Sequence, residues 1–152
     1  MAIKTVSILG SSRKGEQFLV KTEHFDIRIS KNNNNQALNA PSPIEYVLAG
    51  YAGCVNAVGT IVAKELNIDL QSLEVEVSGK INTDKYLGIN TTERAGFNAI
   101  EIVVKANADV SYHELQNWLK IVESRCPVYD NLINPTPIQV SLINEYEAVE
   151  AV

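Results

Sequence analysis

The sequence predicts one domain of strands organised around two helices, in the order βββ, helix, ββ, helix, β. Two observations fix the helices and one fixes the strands. Ser42-Pro43-Ile44-Glu45 combines an N-cap serine, a proline at the first helical position and a glutamate three residues after the cap. Ser111-Tyr112-His113-Glu114 repeats the capping box without the proline. Between and before these starts run segments rich in β-branched and aromatic residues, bounded by turn signals. A chain of 152 residues with ordinary hydrophobic content is long enough to bury its own core, and no linker divides it, so a single domain over residues 1–152 is expected.

Taken in order, residues 2–9, 17–22 and 25–30 read as strands, with turns at 10–15 and at Glu23-His24. The tract 31–39, with four consecutive asparagines, reads as a polar loop. The first helix follows and runs to about Leu66. Its residues are apolar or small on every face, as in a helix surrounded by protein. Gly50, Gly53 and Gly59 weaken helix propensity, which points to close approach by another backbone, and a second subunit could supply it. Residues 70–82 and 98–108 read as long strands separated by a loop. The second helix carries Tyr112, Leu115, Leu119, Val122 and Cys126 at helical spacing. Residues 137–144 read as a last strand, and the acidic tail from 145 as a frayed end.

Composition excludes some function classes. A net charge of -5 with scattered lysines and arginines opposes nucleic-acid binding, which needs a concentrated basic surface. The first residues lack the charged region, apolar run and cleavage site of a secretory signal, so a cytoplasmic location is expected. Residues 46–63 approach the length of a membrane span but are interrupted by Gly50, Gly53, Asn56 and Gly59, and Glu45, Lys64 and Glu65 bound them closely; a core helix and no membrane partner are expected. There is no C-x-x-C pair, and His24 and His113 have no ligand spacing, so neither a metal site nor a cofactor is expected. No G-x-S-x-G elbow, P-loop or dinucleotide fingerprint is present.

The two cysteines remain. Cys54 sits in a stretch where few other residues could do chemistry, and shares a helical face with Val47, Tyr51 and Val58. Both an inert core thiol and a reactive one fit that setting. Cys126 precedes Pro127, which biases it out of the helical region to a boundary near free backbone N–H groups, and Arg125 beside it is a cation that can lower a thiol's pKa. In a reducing cytoplasm, a disulfide between the two would be transient and catalytic rather than structural.

The string from Ser42 to Cys54, Ser-Pro-Ile-Glu-Tyr-Val-Leu-Ala-Gly-Tyr-Ala-Gly-Cys, resembles the first active-site helix of the OsmC/Ohr family, the osmotically inducible and organic hydroperoxide resistance proteins. Arg125-Cys126-Pro127-Val128-Tyr129-Asp130-Asn131 resembles the family's second-cysteine motif. Arg94-Ala95-Gly96-Phe97 resembles its loop before a core strand, and Ser11-Ser12-Arg13-Lys14-Gly15 its glycine-flanked arginine turn. The resemblance implies an α+β fold, with antiparallel sheets around two long central helices in an intertwined homodimer, and active sites at the subunit interface.

It also implies thiol-dependent reduction of organic hydroperoxides, an alkyl or fatty-acid hydroperoxide before hydrogen peroxide. Cys54 would be the peroxidatic cysteine, Cys126 the resolving cysteine and Arg13 the activating arginine, with an external dithiol, such as that of a lipoylated protein, as reductant. Here the sequence departs from the family. The glutamate that orients the arginine follows the helix proline directly, whereas this chain has Ile44 there and its carboxylate at Glu45. At about 100° per residue, Glu45 points away from Cys54 and Ile44 closer to it. Glu45 thus has two open roles, completing the capping box or orienting Arg13. Ile44 and Tyr51, one turn before Cys54, are the expected pocket residues, and Arg28 and Arg125 are substitute cations. Two other readings share the fold: a non-catalytic binder of a hydrophobic small molecule, and a thiol redox sensor.

Overall fold

The computed structural model describes residues 2–30 and 40–144. The polar loop expected at 31–39 and the frayed tail expected from 145 lie outside the described residues. The first sheet is an antiparallel meander of β1 (Leu9–Ser11), β2 (Phe18–Lys21) and β3 (Asp26–Ile29), in the order β1-β2-β3. Pairing runs from Leu9 opposite Lys21 to Ser11 opposite Leu19. Residues 2–8, expected as strand, form none. Their β-rich composition is unused because β2 ends at Lys21, and the described residues offer no ladder partner beyond it.

The first helix, α1 (Pro43–Glu65), starts as expected. Ser42 Oγ accepts from Glu45 N–H at 3.3 Å, and Glu45 Oε2 accepts from Ser42 N–H at 2.8 Å, so two orphan donors of the first turn are satisfied reciprocally. Beyond it, β4 (Leu70–Ile81) and β5 (Phe97–Ala108) pair antiparallel as a two-stranded ribbon, Leu70 opposite Ala108 and Ile81 opposite Phe97. Burial alternates along both strands, and Leu73, Val75, Val77, Ile100, Ile102 and Val104 pack one face of the ribbon against the core. The second helix, α2 (Tyr112–Arg125), has the second capping box, with Ser111 and Glu114 bonded as Ser42 and Glu45 are.

Among the described residues there are three helices where two were expected. A short α3 (Pro127–Ile133) follows α2 with only Cys126 between them, because Pro127 stops the first helix and starts the next at N1. The strand expected at 137–144 is absent. Its alternating Ile138, Val140 and Leu142 are 83–96% exposed, again without a strand to pair with among the described residues. The antiparallel α+β class stands; the long helix is α1, and α2 and α3 are shorter.

The core lies where α1, α2 and the ribbon meet. Tyr51, Val55, Gly59 and Val62 form the buried stripe of α1, and α2 contributes Trp118 and Val122. Trp118 Nε1 donates to Gly59 O at 2.9 Å. A Cβ on Gly59 would stand 2.9 Å from Trp118 Cζ2, so glycine is required by an indole ring rather than by the backbone neighbour expected from the sequence. The stripe on α2 also differs from expectation: Tyr112 is exposed, and Trp118 is buried alongside Val122.

α1 is less covered than a core helix should be. It has the length and mean hydropathy, 1.5 over an 18-residue window, of a membrane-crossing helix, yet only 28% of that window is buried within the chain. Val47 and Ile61 are exposed, and Gly50 and Gly53 face open space. One apolar side of α1 thus lacks a partner among the described residues.

Candidate active site

Cys54 lies three residues after Tyr51 on α1, at the edge of its buried stripe and half-exposed. Cys126 stands at the hinge between α2 and α3, with 1% of its surface exposed. Packing of α1 against α2 and α3 brings the sulfurs to 2.9 Å, with the Cys126 thiol donating to Cys54 Sγ. The pair is free rather than bonded. Cys126 is also the N-cap of α3, and its sulfur accepts the Tyr129 N–H at 3.4 Å.

Burial pushes the Cys126 thiol up from its ordinary range, and its hydrogen bond to Cys54 adds to the rise; the backbone N–H groups of Tyr129 and Val128 act the other way and lose. Arg125 does not reverse this. Its guanidinium forms a fork with Glu65, at 2.5 and 3.0 Å, clasping the ends of α1 and α2 together. That pairing raises Arg125 and lowers Glu65 from their usual values. The activation of Cys126 expected from its neighbouring cation therefore gives way to a protonated, buried thiol.

This has a measurable consequence. The thiol form contributes stability fully below the ordinary thiol range, and the contribution is lost as pH rises through the folded-state value. In a Cys54→Ser variant, where burial still acts, Cys126 should alkylate more slowly with iodoacetamide than in the urea-unfolded chain. Its rate should still be climbing at a pH where the unfolded thiol has levelled off. Equal rates and matching pH profiles would show that Cys126 is not held as a thiol.

Two tyrosines complete the surroundings. Tyr51 and Tyr129 stack with centroids 6.1 Å apart and an interplanar angle of 20°. Burial, with the nearby Cys126, Glu123, Tyr129 and Cys54, pushes the Tyr51 hydroxyl up to about 12, so it remains a proton donor at physiological pH. Both rings also line an open cleft of about 550 Å³, with Arg94, Phe97, Ile100, Glu123 and Leu132 among its other walls. Tyr129 and Arg94 had no assigned role in the sequence reading. Tyr129 could have been found from the Cys126-Pro127 step, since a cap followed by proline announces a helix whose first turn must lie beside the sulfur.

The remaining expected residues lie apart within one chain. Glu45 is exposed and bonded into the Ser42 cap, which holds its carboxyl below the usual range. Arg13 occupies the exposed β1–β2 turn and lines a different depression with Glu16, Phe18 and Arg28. Neither Glu45 nor a thiol bonds to it among the described residues. Ile44 is half-buried in the first turn of α1 and does not line the cleft beside Tyr51. No cluster of three metal-ligating side chains occurs among the described residues.

Solved structures of similar fold bear on this geometry. An OsmC-like protein of Mycoplasma pneumoniae superposes with a TM-score of 0.77 at 20% identity, over 87% of this chain and 89% of that one. An organic hydroperoxide resistance protein of Elizabethkingia anophelis gives 0.64 at 19% identity, over 88% and 91%. One of Bacillus subtilis gives 0.59 at 21% identity, over 88% and 94%. At these identities the likeness concerns the fold. No individually curated protein matches the chain. The family model of the OsmC-like proteins matches residues 15–141, a span that contains both cysteines and all three helices, and the chain belongs to that family.

Proposed function

We propose that this protein is a thiol peroxidase that reduces organic hydroperoxides. The observation that carries the reading is the 2.9 Å approach of Cys54 and Cys126 across α1 and the α2–α3 hinge. Cys54, the more accessible sulfur, attacks the distal peroxide oxygen as a thiolate. The O–O bond breaks, Cys54 becomes a sulfenic acid, and the alkoxide takes a proton and leaves as the alcohol. Cys126 then attacks the sulfenic sulfur, water departs, and a Cys54–Cys126 disulfide remains. An external dithiol, proposed to be lipoyl-like, returns the two electrons by exchange. The apolar walls that Phe97, Ile100 and Leu132 give the cleft suit an alkyl hydroperoxide better than hydrogen peroxide. Dependence on a dithiol reductant suits a cytoplasmic setting.

The functional unit is proposed to be a homodimer. The uncovered side of α1, with Val47, Ile61 and two open glycines, is continuous enough to seat a second copy. Segments 2–8 and 137–143, both of β composition, form no ladder with the described residues, and a second copy could provide one. In such an assembly Arg13, and with it the choice of role for Glu45, would be decided at the interface. A solution mass of two chains is expected, falling to one in an Ile61→Glu variant that remains folded; a monomeric wild type would remove this part of the proposal.

The direct test is titration of the reduced protein with cumene hydroperoxide and with hydrogen peroxide, following free thiols and intact mass. Two thiols lost per chain, faster with the organic substrate, is the expected result. Slow and unselective oxidation would overturn it. It would favour instead a binder of hydrophobic small molecules, a reading supported by the commitment of Glu45 to the Ser42 cap.

A further inference from the structure

The cleft beside the thiol pair holds one cation that the reaction above does not use. Arg94 lines it together with Tyr51, Phe97, Ile100, Tyr129 and Ile133. It is the one cation among the described residues that line the cleft, and Arg125 at the end of α2 is committed to Glu65. Arg94 makes no hydrogen bond or ion pair among the described residues. Its guanidinium is nevertheless placed by the backbone. Nη2 lies 3.1 Å from where a Cβ on Gly96 would stand, so the absence of a side chain at Gly96 leaves the space Arg94 folds into. The next residue, Phe97, covers Gly79 across the ribbon, with Cε1 2.4 Å from the position of a Gly79 Cβ, which sets the ring at the cleft wall.

A cleft that sets the apolar side chains of Phe97, Ile100, Ile102, Leu132 and Ile133 beside polar groups, with an uncommitted guanidinium among them, has the lining of a site for an amphiphile with one anionic end. Arginine's planar fork matches a carboxylate in two parallel hydrogen bonds. Glu123 also lines the cleft, from the last turn of α2, where its carbonyl accepts the Cys126 N–H at 3.4 Å, whereas Arg94 belongs to the loop before β5. The two charges thus give the cleft a direction. The anionic end is drawn to Arg94 and repelled from the end nearer the thiols, where an uncharged hydroperoxide group would sit.

We infer that Arg94 is a specificity residue that captures the carboxylate of an amphipathic ligand in this cleft and orients its chain toward Tyr51 and the thiol pair. The inference deepens the peroxidase reading by naming the feature that selects its substrate: carboxylated, chain-bearing hydroperoxides are preferred over their neutral esters. It does not place Arg94 in the chemical step.

The test separates binding from turnover. Laurate and methyl laurate, which carry no peroxide, are titrated into the reduced wild type, Arg94→Gln and Arg94→Lys by calorimetry. Loss of a charge-assisted pair should weaken laurate by roughly tenfold or more in Arg94→Gln, leave methyl laurate within about twofold, and be partly restored by lysine, which keeps the charge but not the fork. In parallel, kcat/KM is compared for linoleic acid hydroperoxide and its methyl ester, and the expected loss in Arg94→Gln falls on the acid through KM. Unchanged laurate binding, equal loss of acid and ester, or no binding of laurate to the wild type would each overturn the inference. Selective laurate binding without turnover of either hydroperoxide would leave Arg94's role standing and overturn the peroxidase reading alone.

Discussion

Replacing Cys54 by serine is expected to abolish hydroperoxide-dependent turnover, by about 10³-fold or more, as for loss of a covalent nucleophile. Replacing Cys126 should do something different. The first step needs only Cys54, so Cys126→Ser should still consume one equivalent of hydroperoxide at a rate near that of the wild type. It should then stop as a sulfenic acid, readable as a mass gain of one oxygen and as a dimedone adduct. The asymmetry follows from burial and proton location. Cys126 is closed off from solvent, its proton is directed at the partner sulfur, and burial favours the thiol form. Cys54 accepts that hydrogen bond and is the more open of the two. If Cys54→Ser still formed a sulfenic acid on Cys126 at the wild-type rate, the roles would be reversed and the proposed order of steps lost.

How much of this was legible beforehand depends on whether the information is local. Both capping boxes are four-residue signals and appear at Ser42–Glu45 and Ser111–Glu114. The long strands appear within a residue of their expected ends, because alternation over a dozen positions is hard to mistake. Residues 2–8 and 137–144 have the same composition but form no strand, since a strand exists only with a ladder partner and composition does not state where that partner is. The proximity of Cys54 and Cys126, 72 residues apart in sequence, came from a family resemblance and from no spacing rule. Trp118 was missed on α2 because the stripe was drawn through Tyr112; the end of a helix can turn its apolar residue to solvent, as Tyr112 does. The cleft at Arg94 is a property of the loop before β5 meeting Tyr51 and Tyr129, three segments that only the folded chain brings together.

Trp118 carries the largest expected stability effect. Its ring is 1% exposed, it lies against Gly59 of α1, and its Nε1 donates to the Gly59 carbonyl. Trp118→Ala removes the largest fully buried side chain and leaves a cavity between α1 and α2, a change that costs about 3–5 kcal/mol. Against a total stability of about 5–15 kcal/mol for a domain, that is a large share. Gly59→Ala tests the same contact from the other side. The new methyl would displace a rigid, enclosed ring, costing about 1–3 kcal/mol. With alanine at 118 the ring is gone, and Gly59→Ala should instead stabilise α1 by up to about 1 kcal/mol through helix propensity. A change of sign in this double-mutant cycle, measured by urea denaturation of the reduced protein at fixed concentration, is the expected outcome. Additive effects would show that Gly59 and Trp118 are not in contact. The same contact holds the helix of Cys54 against the helix that ends at Cys126. Trp118→Ala, where it remains folded, should therefore slow closure of the disulfide after oxidation while sparing the first attack by Cys54.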